Sequence, residues 1–299
     1  MDALDLADLD AFTAVARARG FRAAAGLQRV SASGLSEAVR RLEMRLGVRL
    51  LNRTTRSVTL TDAGARLLQR LAPALRDVAA ALDAVNDQDS TPHGILRLNV
   101  PTIVARVVLP LIAVRFLALY PGITLDIVAE DSFIDVLSAG FDAGIRYDER
   151  LASDMIAVPI GPRRQRFACA AAPSYLQAHG RPNHPNDVLS HACIRHRFLN
   201  GTIAPWEFER AGQVVRIMPS GPLVATMFEP EHTAAAGGLG LVYTFEEALA
   251  PMLVSGVLEP VLRDWWQEFS GPFLYYPSRS LMPSPLRAFV DFVRANPAP

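Results

Sequence analysis

Lysine is absent from the chain, so all thirty of its cationic side chains are arginine. That absence removes several chemistries together: the Schiff-base amine, the phosphate-loop lysine and the Ser-x-x-Lys acyl-transfer pair. Any phosphate contact must come from guanidinium groups, hydroxyls or backbone amides. Cysteine is nearly as scarce. Cys169 and Cys193 stand 24 residues apart among apolar neighbours, in no metal or redox spacing, and read as buried structural thiols. His179, His184, His191, His196 and His232 form no ligand cluster in the sequence. The run Gly237-Gly238-Leu239-Gly240 lacks the spacing of a dinucleotide fingerprint and fits tight packing of a helix on the next strand. No cofactor, metal or catalytic residue is expected. Long apolar runs are missing too: the best, residues 103–120, is interrupted by Arg106 and Arg115, which argues against a membrane partner. The opening MDALDLADLD is acidic, neither a secretory nor a transit signal, so a cytoplasmic, nucleoid-associated location is expected.

What the chain has is unevenly spread charge. Residues 17–76 carry thirteen arginines against Glu37, Glu43 and Asp62, a local net of +10 in a chain whose total is zero. Three acids cannot neutralise thirteen guanidiniums by helical pairing, so the segment has the electrostatic footprint of a polyanion binder. Beyond residue 93 the net falls to −2.

Within the basic segment, Leu35, Ala38, Val39, Leu42 and Leu46 recur at helical spacing and predict one buried face. Ser33, Ser36, Glu37, Arg40 and Met44 take the opposite face. Ser31 is placed to cap this helix and Gly47 to end it through a positive φ. Phe21, Ala24, Ala25 and Leu27 predict a shorter helix ahead of it, and Leu6, Leu9, Phe12 and Val15–Ala16 a first helix packing behind both. After Gly47, VRLLNRTTRSVTL alternates around Asn52–Arg56, a hairpin with a basic tip. Helix, turn, helix and hairpin make a winged helix-turn-helix, whose second helix enters a DNA major groove.

Residues 18–61 resemble the N-terminal domain of LysR-type transcriptional regulators. The resemblance is carried by Ala24, Ala25, Ser36, Arg41-Leu42-Glu43, Leu46-Gly47, Leu50-Leu51 and Arg53-Thr54-Thr55-Arg56, and extends more loosely over the rest of the chain. Gly34 departs from the family, where a helix former is usual, at about 1 kcal/mol of helix propensity. The expected DNA-binding residues are Ser31, Ser33, Ser36, Glu37, Arg40, Arg53, Thr54, Thr55 and Arg56. Ser33, Ser36, Glu37 and Arg40 would face base edges or phosphates, and Arg53 and Arg56 would hold the backbone or minor groove from the wing. The resemblance also implies dimers that pair into tetramers on an inverted repeat, a small-molecule effector, and RNA polymerase as a further partner. An effector-independent repressor of the same type is the alternative.

Thr61 is placed to cap a long helix through about Asp87. Its Leu68, Leu71, Leu75, Val78, Leu82 and Val85 alternate spacings of 3 and 4, an a/d seam suited to a dimer, or else to packing on the chain's own effector domain. Pro73 is expected to bend it. DQDSTPH (87–93) is polar and aperiodic, a domain boundary. The domains read as 1–60, winged helix-turn-helix; 61–90, linker and dimerisation helix; and 91–299, effector domain. The last divides into subdomain I (91–160 with 270–299) and subdomain II (161–269).

From Gly94 the chain alternates strands and helices: strand 95–100, helix 103–120, strand 123–128, helix 132–139 and strand 141–147, a βαβαβ order that predicts a parallel sheet. A second unit begins near Val158, with strands 166–172, 192–196 and 240–245, helices from Ser174 and near 230–237, a late strand at 273–277 and a closing helix at 285–294. Two α/β units joined by crossings near 158–161 and 265–273 resemble a type II periplasmic-binding-protein-like fold, with ligand in the cleft beyond the strand ends. Pro101-Thr102 at a helix start reads as an anion seat or a plain N-cap. Arg146 reads as a partner for a carboxylate effector, or for Asp148 or Glu149. The family's pocket walls match Phe133, the segment Arg195–Thr202 with Arg195, Phe198 and Thr202 foremost, Thr226, Glu229 and Tyr243. A solute-binding protein fits poorly with the absent export signal, and an enzyme with the absent nucleophile–base pair, metal set and phosphate loop.

Overall fold

The computed structural model describes residues 5–28, 30–53, 58–86, 91–131, 139–147, 155–277 and 282–297, with backbone alone at 28, 72–73, 76–77 and 79–86. It divides into two compact units, 1–96 with 134–142 and 279–288, and 97–133 with 143–278 and 289–299. Among the described residues no helix is long and apolar enough to cross a membrane.

The first unit opens with α1 (Leu6–Ala18), α2 (Phe21–Gln28) and α3 (Ala32–Leu46), followed by β1 (Leu51–Arg53), β2 (Val58–Leu60) and α4 (Asp62–Asn86). Ser31 Oγ accepts the Gly34 amide at 3.0 Å, and Gly47 ends α3 at φ 67°. A Cβ on Gly34 would sit 3.0 Å from that hydroxyl, which gives the missing side chain a local reason. Phe12, Val15, Ala24, Leu35, Val39 and Leu42 close a core from which water is excluded. Three stripe residues stay outside it: Leu6, Leu27 (80 % exposed) and Leu46, each at a helix end where the neighbouring helix no longer covers the face. In exchange α1 buries a charge, for Asp8 pairs with Arg41 of α3 at 2.6 Å. The wing pairs antiparallel with Leu51 opposite Leu60. Thr61 Oγ accepts the Gly64 amide and caps α4, which runs unbroken through Pro73. Leu68 and Leu71, expected in a partner seam, pack on the helix-turn-helix core instead, while Val78 is 43 % exposed; the Leu82 and Val85 side chains lie outside the described residues.

In the α/β region, β3 (Gly94–Val100), α5 (Thr102–Val107), α6 (Leu109–Leu119), β4 (Ile123–Ala129), β5 (Ala143–Arg146) and β6 (Met155–Pro159) come first. The single helix expected over 103–120 breaks at Val108, because Pro110 cannot donate an amide and restricts the residue before it. The short helix expected at 132–139 lies outside the described residues up to 138. Then follow β7 (Arg164–Ala171), α7 (Pro173–His179), β8 (Cys193–His196), β9 (Trp206–Arg210), β10 (Gln213–Ile217), β11 (Leu223–Ala225), α8 (Phe228–Ala236) and β12 (Leu241–Phe245). The chain closes with α9 (Glu246–Val254), β13 (Glu259–Val261), β14 (Glu268–Ser270), β15 (Phe273–Pro277) and α10 (Ser284–Ala295).

Two sheets result. One has the order β4-β3-β5-β15-β6, and the other β11-β8-β12-β7-β13 with β14 also on β7. The first is mixed rather than parallel: β3 and β5 run together, but β15 returns from the far end of the sequence antiparallel to β5 and β6. The strand containing Val158 therefore belongs to the first sheet, not to the second α/β layer expected to begin there. The chain crosses between sheets at residues 160–163 and 271–272, and the crossings are bonded to each other, Ile160 N–H to the Pro272 carbonyl and Gly271 N–H to the Arg163 carbonyl. The fully buried run Ala168–Ala171 lets α8 and α9 lie close on β7. Cys169 and Cys193 are both buried and unbridged, and burial pushes the Cys193 thiol up to about 12. On the other sheet Phe116 of α6 packs edge-on against Phe289 and Phe292 of α10.

Candidate functional site

Helix α3 buries Leu35, Ala38, Val39 and Leu42, so its geometry turns Ser33, Glu37 and Arg40 outward together. Ser31 is occupied as the cap, and Ser33 Oγ donates to it at 3.2 Å. Ser36 is half-buried and accepts Arg53 Nη1 at 3.3 Å. Beside α3 runs a concave groove of about 600 Å³, lined by Arg40, Arg49 and Arg53 with Glu43, Met44, Gly47, Val48 and Leu51. Three guanidiniums against one carboxylate make a cationic surface at the exposed face of the helix.

Glu43 was legible only as a family residue; the structure shows what it does. One carboxylate oxygen accepts the amides of Leu50 and Leu51 at 2.9 and 3.1 Å, and the other accepts Arg53 Nη2 at 2.9 Å. Arg53 also lies 5.0 Å over the Phe21 ring. The guanidinium expected to hold DNA from the wing thus has α2 and α3 as its immediate partners. Arg41 is likewise engaged, with its charged form favoured first by the hydrogen bond to Asp8. Thr54, Thr55 and Arg56, the hairpin tip, lie outside the described residues.

The second site is a cavity of about 440 Å³, within the range of small-molecule pockets. Pro101, Ile103, Asp131, Arg146 and Tyr147 come from the β3-β5 side. The other sheet supplies Phe167, His196, Tyr243, Thr244, Phe245 and Phe269, the segment between β8 and β9 adds Phe198, Ala204 and Pro205, β9 adds Trp206, and α8 adds Phe228. Nine of these sixteen residues carry aromatic rings. Trp206, Tyr243 and Phe167 lie nearly parallel, with centroids 5.3 and 5.2 Å apart in turn. His196 stacks on Phe228 at 5.1 Å with an 8° tilt. Phe245 and Phe269 meet Tyr147 at 5.6 and 5.8 Å.

The polar groups of the wall are mostly satisfied within the chain. Thr102, expected as an anion seat, gives both its amide (2.8 Å) and its hydroxyl (2.9 Å) to Asp131. Arg146 is buried, with Nη1 donating to the Ile145 carbonyl at 2.7 Å and Nη2 to Asn99 Oδ1; Asp148 and Glu149, its expected partners, lie outside the described residues. Tyr243 donates to the Glu207 carbonyl. His196 Nδ1 and the buried Glu231 carboxylate lie 2.8 Å apart. Tyr147 is different. Its hydroxyl, the Gln165 amide and one Glu247 oxygen are buried near one another without closing a hydrogen bond of good geometry, and burial, then the Glu247 charge, push the phenol pKa up.

Of the expected effector residues, Pro101, Arg146, Phe198 and Tyr243 line the cavity, and Thr102 adjoins it. Arg195 instead serves the Gly221 carbonyl, Thr202 turns to Asn200, and exposed Glu229 pairs with Arg106 at 2.5 Å. Neither these nor Thr226, exposed before α8, is a wall residue. Phe133 lies outside the described residues. His196 falls within the expected segment Arg195–Thr202 and lines the cavity, whereas sequence reasoning missed Tyr147, Phe167, Trp206, Phe228, Phe245 and Phe269. Trp206, on the β9–β10 hairpin, and Phe245, at the end of β12, gave no signal beyond apolar alternation. Among the described residues no group of three or more His, Cys, Asp or Glu could hold a metal ion.

Residues 6–65 match the family model described as a bacterial regulatory helix-turn-helix protein of the lysR family, and residues 89–298 match the LysR substrate binding domain. The chain is 39 % identical over 293 residues to the uncharacterized HTH-type transcriptional regulator YcaN of Escherichia coli (strain K12), covering 98 % of this chain and 96 % of YcaN. In structure it is similar to CrgA, a LysR-type transcriptional regulator from Neisseria meningitidis, with a TM-score of 0.59, 28 % identity and 97 % of each chain covered. Its fold is also similar to that of full-length AphB, the Vibrio cholerae virulence activator, with a TM-score of 0.64, 24 % identity, and 98 % and 99 % of the two chains covered.

Proposed function

The chain belongs to the LysR family of transcriptional regulators, and from that premise we propose that it binds an inverted-repeat operator as a dimer or a pair of dimers and answers to a small molecule held in the aromatic cavity. Proteins of this family are regulators, not enzymes, and combine a DNA-binding helix-turn-helix with an effector-binding domain. One observation carries the operator reading: Ser33, Glu37 and Arg40 stand together on the open face of α3, beside an arginine-lined groove. Ser33 and Glu37 are suited to base edges, and Arg40 to a phosphate or guanine. Two-fold symmetry then spaces the half-sites about one helical turn apart. The dimer seam on α4 begins at Leu75 and Val78, since Leu68 and Leu71 face inward.

Fluorescence anisotropy of the full chain on its own upstream DNA, across a salt series, tests this. Wild type is expected to bind with a negative slope of log affinity on log salt. Arg40→Ala is expected to weaken binding and flatten that slope by about one. No binding to that DNA in dilute buffer overturns the proposal.

A further inference from the structure

Resting on the reading of the cavity as the effector site, we infer that its ligand is a flat aromatic compound, not a small aliphatic carboxylate. Two observations converge.

First, the groups that would recognise a small acid are already engaged. Asp131 has taken the amide and hydroxyl of Thr102, so a second carboxylate there would meet an anion instead of open donors. The Arg146 guanidinium is buried with its Nη groups directed at Asn99 and the Ile145 carbonyl. An aliphatic dianion would have to break these bonds to gain its own.

Second, rings furnish most of the wall, and they are ordered. Phe167, Tyr243 and Trp206 form one near-parallel series, while His196 and Phe228 form another stack. Aromatic faces and edges reward a planar guest by quadrupole matching as well as by burial, and offer little to a short polar one. A void of about 440 Å³ suits a one- or two-ring compound.

Calorimetric titration of the full chain with 2-naphthol and, separately, succinate tests the inference. Saturable binding of 2-naphthol and none of succinate is expected. Phe198→Ala, at a rim position 40 % exposed and therefore tolerant of truncation, should weaken 2-naphthol several-fold. Ala204→Trp, filling the cavity, should abolish it while anisotropy on the upstream DNA verifies that the variant folds. Succinate binding that Ala204→Trp removes would overturn the ligand class and leave the cavity as the effector site. Binding of 2-naphthol that survives both Ala204→Trp and Phe198→Ala would overturn the cavity itself. No binding of either probe would also overturn the class.

Discussion

Glu43 and Arg53 meet at 2.9 Å across the junction of recognition helix and wing. Because the other Glu43 oxygen holds the amides of Leu50 and Leu51, one side chain fixes where β1 leaves α3. Arg53 therefore acts first as an internal brace. Glu43→Ala is expected to cost about 1–3 kcal/mol of stability, since it leaves two backbone donors and a charge-assisted bond unmade. Arg53→Ala should weaken DNA binding by loosening the wing while leaving the salt slope of the wild type, in contrast to Arg40→Ala. Paired anisotropy titrations on the upstream DNA decide it: a slope reduced by a full unit in Arg53→Ala would make Arg53 a phosphate contact instead.

Asp8 and Arg41 predict an asymmetry. The Asp8 side chain is 4 % exposed and that of Arg41 50 %. Removing the arginine strands a carboxylate away from water; removing the aspartate returns a guanidinium to it. Arg41→Ala is therefore expected to cost more stability than Asp8→Ala. Urea unfolding of both singles and the double measures this, and the double should resemble Asp8→Ala. Equal costs for the two singles would mean that the pair is solvated enough to contribute little.

These two pairs show where the sequence was readable. The α3 stripe, the Ser31 cap and the Gly47 stop were legible because each is a local rule, acting within a turn or two. So were the strands at 95–100, 240–245 and 273–277. What sequence spacing could not disclose was long-range partnership: Asp8 with Arg41, Thr102 with Asp131, and β15 slotting antiparallel beside β5. The cavity was the least legible part. Its rings come from strands whose apolar alternation looks the same whether a side chain meets a core or a void. Arg195 and Thr202 were expected in its wall, yet each has a nearer hydrogen-bond partner that no local pattern reveals.

Gly271 sits where the two crossings touch. A Cβ there would fall 1.7 Å from the Pro162 carbonyl oxygen, a backbone atom with no freedom to withdraw. Gly271→Ala must push the crossings apart and break the Gly271–Arg163 bond, so a loss of about 3 kcal/mol or more is expected, at the upper end of overpacking. Gly212 is the control: its φ is 79° but open space surrounds it, so Gly212→Ala should cost only about 1 kcal/mol. Thermal unfolding of the two variants compares them directly. Equal melting temperatures would mean that the crossings yield freely.

His232 makes the stability of the α/β region depend on pH. It is buried, both ring nitrogens lack a hydrogen-bond partner, and burial, then the charge of Arg106, push its pKa down to about 4 against an opposing pull from Glu229. Above pH 6.5 the ring is neutral whether the chain is folded or unfolded, and contributes no pH dependence. Between 6.5 and 4 the unfolded chain takes up a proton that the folded chain refuses, so stability falls as pH falls. By pH 5 the loss should reach about 2 kcal/mol. His232→Leu, which keeps the volume and removes the titration, should lose correspondingly less on the same descent. The measurement is the urea midpoint at pH 7.5 and pH 5 for both proteins, with every other titrating group cancelling in the difference. Parallel declines would show that this ring takes up its proton as readily in the folded chain as in the unfolded one.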